Sequence, residues 1–276
     1  MFFRQIPVRN ELRTMIRSII QIELDTPGMT FRNFPSSNLN LVFSYKDDAI
    51  EKTHDGESIA FRFSIEGFRN SPVEYIPLGK IGLVIVTLNP SSKSLIKELG
   101  GAFTLNNNWD LRDIYYSLTR NINEKLINAN DADEAIKFVE YFLMKILLDA
   151  SPNVYVEAAI NYIQHNNGQI RVREISNKIG YSKKQLERMF IRHVGLTPKK
   201  YAQIIQFQHC LYLLQKPFVT MTGVAFEAGF FDQAHFIHTF RQFCGQSPLS
   251  FLNFISELKR KSNTSKKTYG SHYLIE

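Results

Sequence analysis

Hydrophobic and polar residues alternate along much of the first third of the chain, which is the pattern of β-strands. The run from Leu39 to Tyr45 has a large apolar residue at every second position, and the run from Phe61 to Ile65 repeats this spacing. The run from Ile81 to Leu88 is apolar almost throughout, which predicts a strand buried on both faces. The segment from Glu11 to Ile22 is expected to form a short helix ahead of these strands.

The spacing of apolar residues changes after this region, because they then recur at every third or fourth position, as in amphipathic helices. Ser92 is expected to cap a short helix that ends at Gly100, and longer helices are predicted near 109–128 and from Asp131 to Asp149. The tripeptide Ser151-Pro152-Asn153 marks the clearest boundary, because proline disfavours helix in the residue before it.

These patterns predict an α+β chain in four parts. Residues 1–92 form a β-rich N-terminal domain, and residues 93–150 form a helical segment for dimerisation or signalling. Residues 151–258 form an all-α C-terminal domain, and residues 259–276 form a basic, flexible tail.

Positive charge is concentrated in the second half of the chain. Residues 158–276 contain 16 Lys and Arg against 6 Asp and Glu, whereas residues 1–157 contain 17 against 20. This asymmetry predicts a polyanionic partner for the C-terminal part alone, and charge kept for solubility is the alternative.

The C-terminal part contains one sequence pattern twice. The first copy runs from Ile175 to Tyr201 and the second from Val224 to Phe251. The turn glycines, Gly180 and Gly229, are 49 residues apart, whereas positions from Ser182 and Asp232 onward are 50 apart. The second turn therefore has one extra residue. The equivalent pairs are Ser176 and Ala225, Gly180 and Gly229, Ser182 and Asp232, Leu186 and Phe236, Phe190 and Phe240, and Tyr201 and Phe251.

Each copy has the features of a helix-turn-helix unit. The small residue allows a second helix to cross closely, and the glycine supplies left-handed backbone at the turn. The Ser or Asp accepts hydrogen bonds from the free N–H groups of the next helix. Two apolar residues four positions apart then face the core, which leaves the opposite face of that helix free to enter a major groove. One such pattern is weak evidence, whereas two at a fixed spacing in a basic segment are specific.

Residues 158–255 resemble the C-terminal domain of AraC/XylS-type transcription regulators. The second copy follows the family signature from Gly229 to Pro248, and the first copy matches the companion pattern at Ser182, Leu186, Arg188, Phe190, Gly195, Thr197 and Pro198. Residues 1–148 resemble, more faintly, the β-rich, cupin-like or related module that accompanies this domain in some members. The sequence departs from the family at Gln206, Cys210, Ala234 and His238.

The resemblance implies seven helices in the C-terminal domain and two recognition helices that enter successive major grooves. A joining helix from about Thr197 to Gln215 would span ~28 Å, close to one DNA turn of ~34 Å. The candidate DNA-binding residues are Lys183, Lys184, Glu187, Arg188, Gln233, Ala234, His235, His238 and Arg241.

Each candidate residue has a chemical role in this interpretation. Arg188 would pair with a guanine edge, Glu187 would accept from cytosine, Gln233 would read adenine and Ala234 would touch a thymine methyl group. Lys183, Lys184 and Arg241 would hold phosphates, and His238 occupies a contact position. The alternatives are a solvated charged face for the first helix and a packing or capping role for His235. Aromatic residues beside the turns are interpreted as core; they are Tyr181, Phe230, Phe231 and Phe243.

Other function classes lack their motifs. Residues 1–157 contain a single histidine, His54, so a cupin-type metal site is not expected, and no nucleophile motif or phosphate loop indicates an enzyme or a cofactor. Two cysteines, no signal-peptide pattern and no long apolar run predict a cytoplasmic protein that lies at the nucleoid when it binds DNA.

The sequence therefore predicts a sequence-specific DNA-binding transcription regulator with double-stranded DNA as its partner. RNA polymerase, a second copy of the chain and a small-molecule effector at the N-terminal domain stay open as further partners. The alternative is a ligand-binding or interaction protein whose helix-turn-helix domain is degenerate. Residues such as His238 and Gln206 leave room for it, whereas Arg188 and the basic charge argue against it.

Overall fold

A computed structural model describes residues 2–25, 30–95, 105–129, 131–147, 152–261 and 273–275, and it shows an α+β chain. The strands are β1 (Phe2–Ile6), β2 (Ile16–Leu24), β3 (Phe31–Asn33), β4 (Leu39–Ser44), β5 (Ala49–Thr53), β6 (Gly56–Ile59), β7 (Phe63–Glu66), β8 (Val73–Pro77), β9 (Ile81–Leu88), β10 (Asn108–Asp110) and β11 (Tyr273–Ile275). The helices are α1 (Leu111–Ile114), α2 (Tyr116–Ile127), α3 (Ala132–Leu147), α4 (Val154–His165), α5 (Val172–Ile179), α6 (Lys183–His193), α7 (Pro198–Leu214), α8 (Met221–Glu227), α9 (Gln233–Cys244) and α10 (Pro248–Lys261).

The strands form two antiparallel sheets, counted over the described residues. Sheet A has the order β1-β2-β9-β4-β7-β10, and sheet B has the order β11-β3-β8-β5-β6. One face of sheet A packs against α3, where the rings of Phe43 and Phe142 lie 5.6 Å apart. Its other face lies opposite sheet B. The strands of sheet A are therefore covered on both sides, which explains why β4 and β9 are largely buried on both faces.

The expected strands at Leu39–Tyr45 and Ile81–Leu88 are confirmed as β4 and β9. The helix expected from Glu11 to Ile22 is wrong. A short 3₁₀ helix at Asn10–Leu12 is followed by β2, which pairs with both β1 and β9. The isoleucines of this segment fit a central strand, because β-branched side chains pack well on a pleated sheet.

The region between the β domain and the C-terminal helices also differs from the expectation. Residues 108–110 form β10, which pairs with β7, so the predicted helical segment 93–150 contributes a strand to sheet A. The helix expected from Ser92 is a 3₁₀ helix at Pro90–Leu95, and its expected end at Gly100 lies outside the described residues. The two longer helices are confirmed as α1 with α2 and as α3.

The C-terminal domain has seven helices, α4 to α10, within residues 152–261, as the resemblance implies. Asn153 caps α4, since its side chain accepts from the N–H groups of Tyr155 and Val156 at 3.1 Å each. The last helix continues to Lys261, beyond the predicted domain end at 258. Within the segment predicted to be a flexible tail, residues 273–275 pair with β3.

The β domain and the helical domain share a continuous core. Ser37 Oγ donates to Gln208 Oε1 at 3.1 Å, and Ser91 Oγ donates to Glu157 Oε1 at 3.0 Å. None of the helices in the described part of the chain is both long and apolar enough to span a lipid bilayer.

We expect Phe142→Ala to lower the free energy of unfolding by about 3–5 kcal/mol, because it leaves a cavity between α3 and sheet A. Tyr141→Ala is the matched control, since Tyr141 is its exposed neighbour and should cost under about 0.5 kcal/mol. Urea unfolding followed by circular dichroism measures both. Equal losses would show that α3 does not anchor sheet A.

Candidate nucleic-acid interface

The first helix-turn-helix unit consists of α5 and α6. The helix α5 ends at Gly180, whose φ of 80° lies in the left-handed region that glycine adopts without steric cost. Ser182 then caps α6: its Oγ accepts from the N–H of Gln185 at 3.3 Å, and the Gln185 side chain accepts from the N–H of Ser182 at 3.0 Å. Leu186 and Phe190 are fully buried, so α6 is held by one face.

The second unit, α8 and α9, repeats this construction. Gly229 follows α8 with a φ of 74°, and the Asp232 side chain accepts from the N–H of His235 at 2.7 Å at the start of α9. Phe236 and Phe240 are buried at the positions equivalent to Leu186 and Phe190. The small residue of each first helix is also buried, as Ser176 in one unit and Ala225 in the other.

Each recognition helix rests on an aromatic pair. The rings of Phe190 and Tyr201 lie 6.0 Å apart in the first unit, and those of Phe240 and Phe251 lie 5.7 Å apart in the second. Both pairs are buried and join the recognition helix to the helix that follows it. The two copies found in the sequence therefore pack their equivalent residues in the same way.

The helix α7 joins the two units. Its 17 residues span about 25 Å. Gln206, where the sequence departs from the family, donates from Nε2 to the carbonyl of Ala228 at 2.8 Å and so connects α7 to the turn of the second unit. Cys210 is buried in α7, and burial raises the pKa of its thiol to about 12.

The outward face of α6 is charged and open. Lys183, Lys184 and Arg188 are exposed, and Glu187 is half-buried. Lys183 Nζ lies 4.0 Å from Glu187 Oε1, one helical turn apart. The structure therefore brings the four residues predicted on this helix onto one surface, opposite the face that Leu186 and Phe190 bury.

The outward face of α9 is polar and less charged. The five residues predicted there are all exposed: Gln233, Ala234, His235, His238 and Arg241. Thr222 Oγ1 donates to Gln233 Oε1 at 2.7 Å, which orients that amide. Gln242 Nε2 lies 3.2 Å from His238 Nε2, one helical turn away. The exposed His235 ring lies 5.3 Å from the Phe230 ring in an edge-to-face contact, and its role at DNA stays a prediction.

The comparisons with known proteins agree with this geometry. A family model described as a helix-turn-helix domain matches residues 175–253. The Msm operon regulatory protein of Streptococcus mutans is 27% identical over 104 residues, and the transcriptional activator RhaS of Pectobacterium carotovorum is 25% identical over 133 residues. Residues 175–253 form an AraC/XylS-type helix-turn-helix domain.

The similarity to curated relatives is concentrated in this AraC/XylS-type domain. The matches cover 37% of this chain and 37% of the Msm regulator, and 44% of this chain and 48% of RhaS, so the chain spans half or less of the length of these relatives. The solved structure of ToxT from Vibrio cholerae covers 86% of this chain and 98% of its own, with 13% identity and a TM-score of 0.47.

One exposed residue of the AraC/XylS-type domain was missed by the sequence interpretation. Phe231, expected in the core, is 92% exposed directly before the capping residue of α9. Phe230 packs on Phe236 at 5.5 Å instead, and Tyr181, its equivalent, packs on Tyr155 at 5.2 Å. Phe231 is therefore the extra residue of the second turn. The change in the offset between the two copies, from 49 to 50 residues, indicated this extra residue.

No group of three or more His, Cys, Asp or Glu within the described ranges is arranged to hold a metal ion. His54 lies in an exposed turn, where its Nδ1 is 3.4 Å from Asp55 Oδ1.

We expect Asp232→Ala to destabilise the first turn of α9 by about 1 kcal/mol, because the N–H of His235 loses its acceptor. Asp232→Asn is the matched control, since asparagine caps helices as well. Amide hydrogen exchange at His235 should quicken in the alanine variant and stay near the parent value in the asparagine variant. Equal exchange in both variants would contradict the cap.

Proposed function

We propose that this protein is a sequence-specific DNA-binding transcription regulator that reads DNA with α6 and α9 in successive major grooves. The observation that carries the proposal is the repeated geometry. Each unit has a turn glycine, a side-chain cap and an aromatic anchor at equivalent positions, and each presents an open polar face. The ~25 Å length of α7 is compatible with recognition helices one DNA turn apart.

The face of α6 supplies most of the charge. We assign Arg188 to a guanine edge, because its guanidinium has the fork that matches the two acceptors of guanine. Lys184 is assigned to a phosphate. Lys183 and Glu187 share an ion pair, so Lys183 would hold a phosphate and Glu187 would accept from cytosine only after that pair opens.

The contacts that the face of α9 would make depend more on shape than on charge. Gln233 would read adenine from the orientation set by Thr222, and Ala234 would contact a thymine methyl group. His238 would donate to a base or phosphate, and Arg241 would hold a phosphate. Phe231 adds an apolar side chain at the end of the helix that enters the groove, which suits a second thymine methyl group.

We also propose partners and a cellular location for this protein. RNA polymerase is included as the machinery that an activator would contact, and a second copy of the chain is included because it would double the DNA contacts. A small-molecule effector is assigned to the β domain. Chromosomal DNA places the protein in the cytoplasm, at the nucleoid when bound, and the function gives it no reaction to catalyse.

Selection of bound sequences from random duplex DNA with the full chain tests the proposal. We expect a defined motif with two parts about one helical turn apart. A variant with Lys184→Ala, Arg188→Ala and Arg241→Ala together is the control and should enrich nothing. If the parent chain also enriches no motif, the degenerate-domain alternative is correct.

Arg188 and Lys184 should respond differently to substitution. We expect Arg188→Ala to cost about 1–3 kcal/mol on the selected sequence and to relax base choice at one position. Lys184→Ala should weaken binding to all sequences and reduce the salt dependence, because one phosphate contact is lost. Binding to selected and random duplexes at several salt concentrations measures both. An equal loss on both duplexes for Arg188→Ala would assign it to phosphate.

We expect His238→Arg to bind DNA more tightly and with a steeper salt dependence, because arginine adds a permanent charge and a fixed fork of donors. His165→Arg is the matched control: it makes the same change on α4, outside both units, at an exposed position. Fluorescence anisotropy with labelled duplex measures both. Parallel salt profiles for the two variants would show that His238 does not face DNA.

A further inference from the structure

A cavity of about 330 Å³ lies between sheet A and sheet B. Its walls are the alternate residues of each strand that face the opposite sheet, such as Ile20 and Ile22 on β2, and Leu83 and Ile85 on β9. These walls are mainly apolar. A space of this size between two sheets suits one small molecule, and the polarity of its lining selects the kind of molecule.

One end of the cavity has a polar row that crosses five of the six strands of sheet A. A single cross-strand row consists of Ser18, Thr87, Asn40, Glu66 and Asn108, each paired in register with the next. Four of these residues line the cavity: Ser18, Thr87, Glu66 and Asn108. The neighbouring row includes Ile20, Ile85 and Val42, so an apolar belt on β2, β9 and β4 adjoins the polar row.

The polar end offers acceptors. Tyr75 Oη donates to Glu66 Oε1 at 2.8 Å, and Asn108 Nδ2 donates to both carboxylate oxygens of Glu51 at 2.9 Å. The Oδ1 of Asn108 is buried and has no hydrogen-bond partner among the described residues. Burial and the neighbouring carboxylates raise the pKa of Tyr75 well above its ordinary value, so its hydroxyl remains a donor that is already used.

The charge of the lining is negative. Acidic side chains line the cavity at Asp47, Asp48, Glu51 and Glu66. Arg62 is the basic residue that lines it within the described part of the chain, and its Nε lies 2.6 Å from Asp48 Oδ1. Arg69 lies 2.8 Å from Glu51 Oε1, and this pair is almost fully buried. The described arginines at the lining are therefore already matched by carboxylates, whereas Glu66 and Asn108 have acceptor capacity left.

The polar end also adjoins the contacts between the two domains. Phe34 follows Asn33, a cavity residue, and its ring lies 5.4 Å from Phe251 of the second unit. Phe68 lies two residues beyond Glu66, and its ring is 6.1 Å from Tyr201 of the first unit. Tyr201 and Phe251 are equivalent positions of the duplicated pattern. The segments that line the polar end therefore also carry the contacts to both aromatic anchors.

We propose that this cavity binds a small molecule with an apolar body and a hydrogen-bond-donating head that is cationic or neutral, with the head on Glu66 and Asn108. A molecule with a carboxylate head is disfavoured, because it would meet acidic groups and its nearest cations already pair with carboxylates. The inference specifies the effector of the proposed regulator, and its regulatory meaning rests on that function.

Three probes with one apolar chain test the head group on the full protein without DNA: octylamine, 1-octanol and octanoate. Trp109, the only tryptophan, directly follows Asn108 and gives a fluorescence signal. We expect octylamine and 1-octanol to change this signal and raise the melting temperature, with octanoate at least tenfold weaker. Octanoate binding as tightly as octylamine would overturn the proposal, and so would the absence of binding by all three.

A pair of matched variants tests the position of the head. Glu66→Gln should reduce the preference for octylamine over 1-octanol, whereas Glu57→Gln, at an exposed position on β6 outside the cavity, should preserve it. If Glu66→Gln does not fold by circular dichroism, Ile85→Phe replaces it; this variant narrows the cavity and should weaken both probes. Unchanged binding in the folded variant would overturn the assignment.

The effect of the ligand on DNA binding is measured separately. We expect octylamine to change DNA affinity at least threefold in the parent protein, and an unchanged affinity would overturn the coupling. Because probe binding is measured without DNA, a failure of DNA binding and a failure of the ligand assignment are distinguishable.

Discussion

The buried aromatic pair beneath each recognition helix is the contact on which the rest of the structure depends. Phe190 with Tyr201, and Phe240 with Phe251, fix one face of α6 and α9 against the following helix. A helix held by one face must present the other to solvent. The turn glycines and the capping residues set where each helix begins. The aromatic pairs set which side chains of each helix face outward, where DNA would bind.

The same two positions also receive the β domain. Phe68 packs on Tyr201, and Phe34 packs on Phe251, so equivalent residues of the repeat have equivalent neighbours from the N-terminal half. Close-packed aromatic contacts do not deform continuously; they hold one arrangement or repack into another. Phe34 and Phe68 lie within two residues of Asn33 and Glu66 along the chain, so the segments that line the polar end of the cavity also carry these contacts.

Local patterns could be predicted from the sequence, whereas long-range pairing could not. The helices of the repeat were found because each cap, glycine and anchor lies within a few residues of the next. The segment from Glu11 to Ile22 was mistaken for a helix because its isoleucines satisfy both periods, and only pairing with β1 and β9 decides between them. The alternation from Phe61 to Ile65 predicted a strand with two different faces, but it could not show that a cavity lies opposite one of them. Phe231 was placed in the core by residue type, although its one-residue offset excluded it.

The two units have the same backbone arrangement but differ in the charge of their outward faces. The helix α6 has four basic residues, whereas α9 has one, Arg241. Affinity that comes from counterion release scales with the number of phosphates neutralised, so under the proposed function the first unit would supply more of it. The second unit has Gln233, Ala234 and Phe231 at the end of the helix that meets the bases. Such side chains discriminate by shape and methyl contact and depend little on salt. Under the proposed function both units would read bases, Arg188 in the first and Gln233 in the second, so the units differ in their share of the salt-dependent affinity.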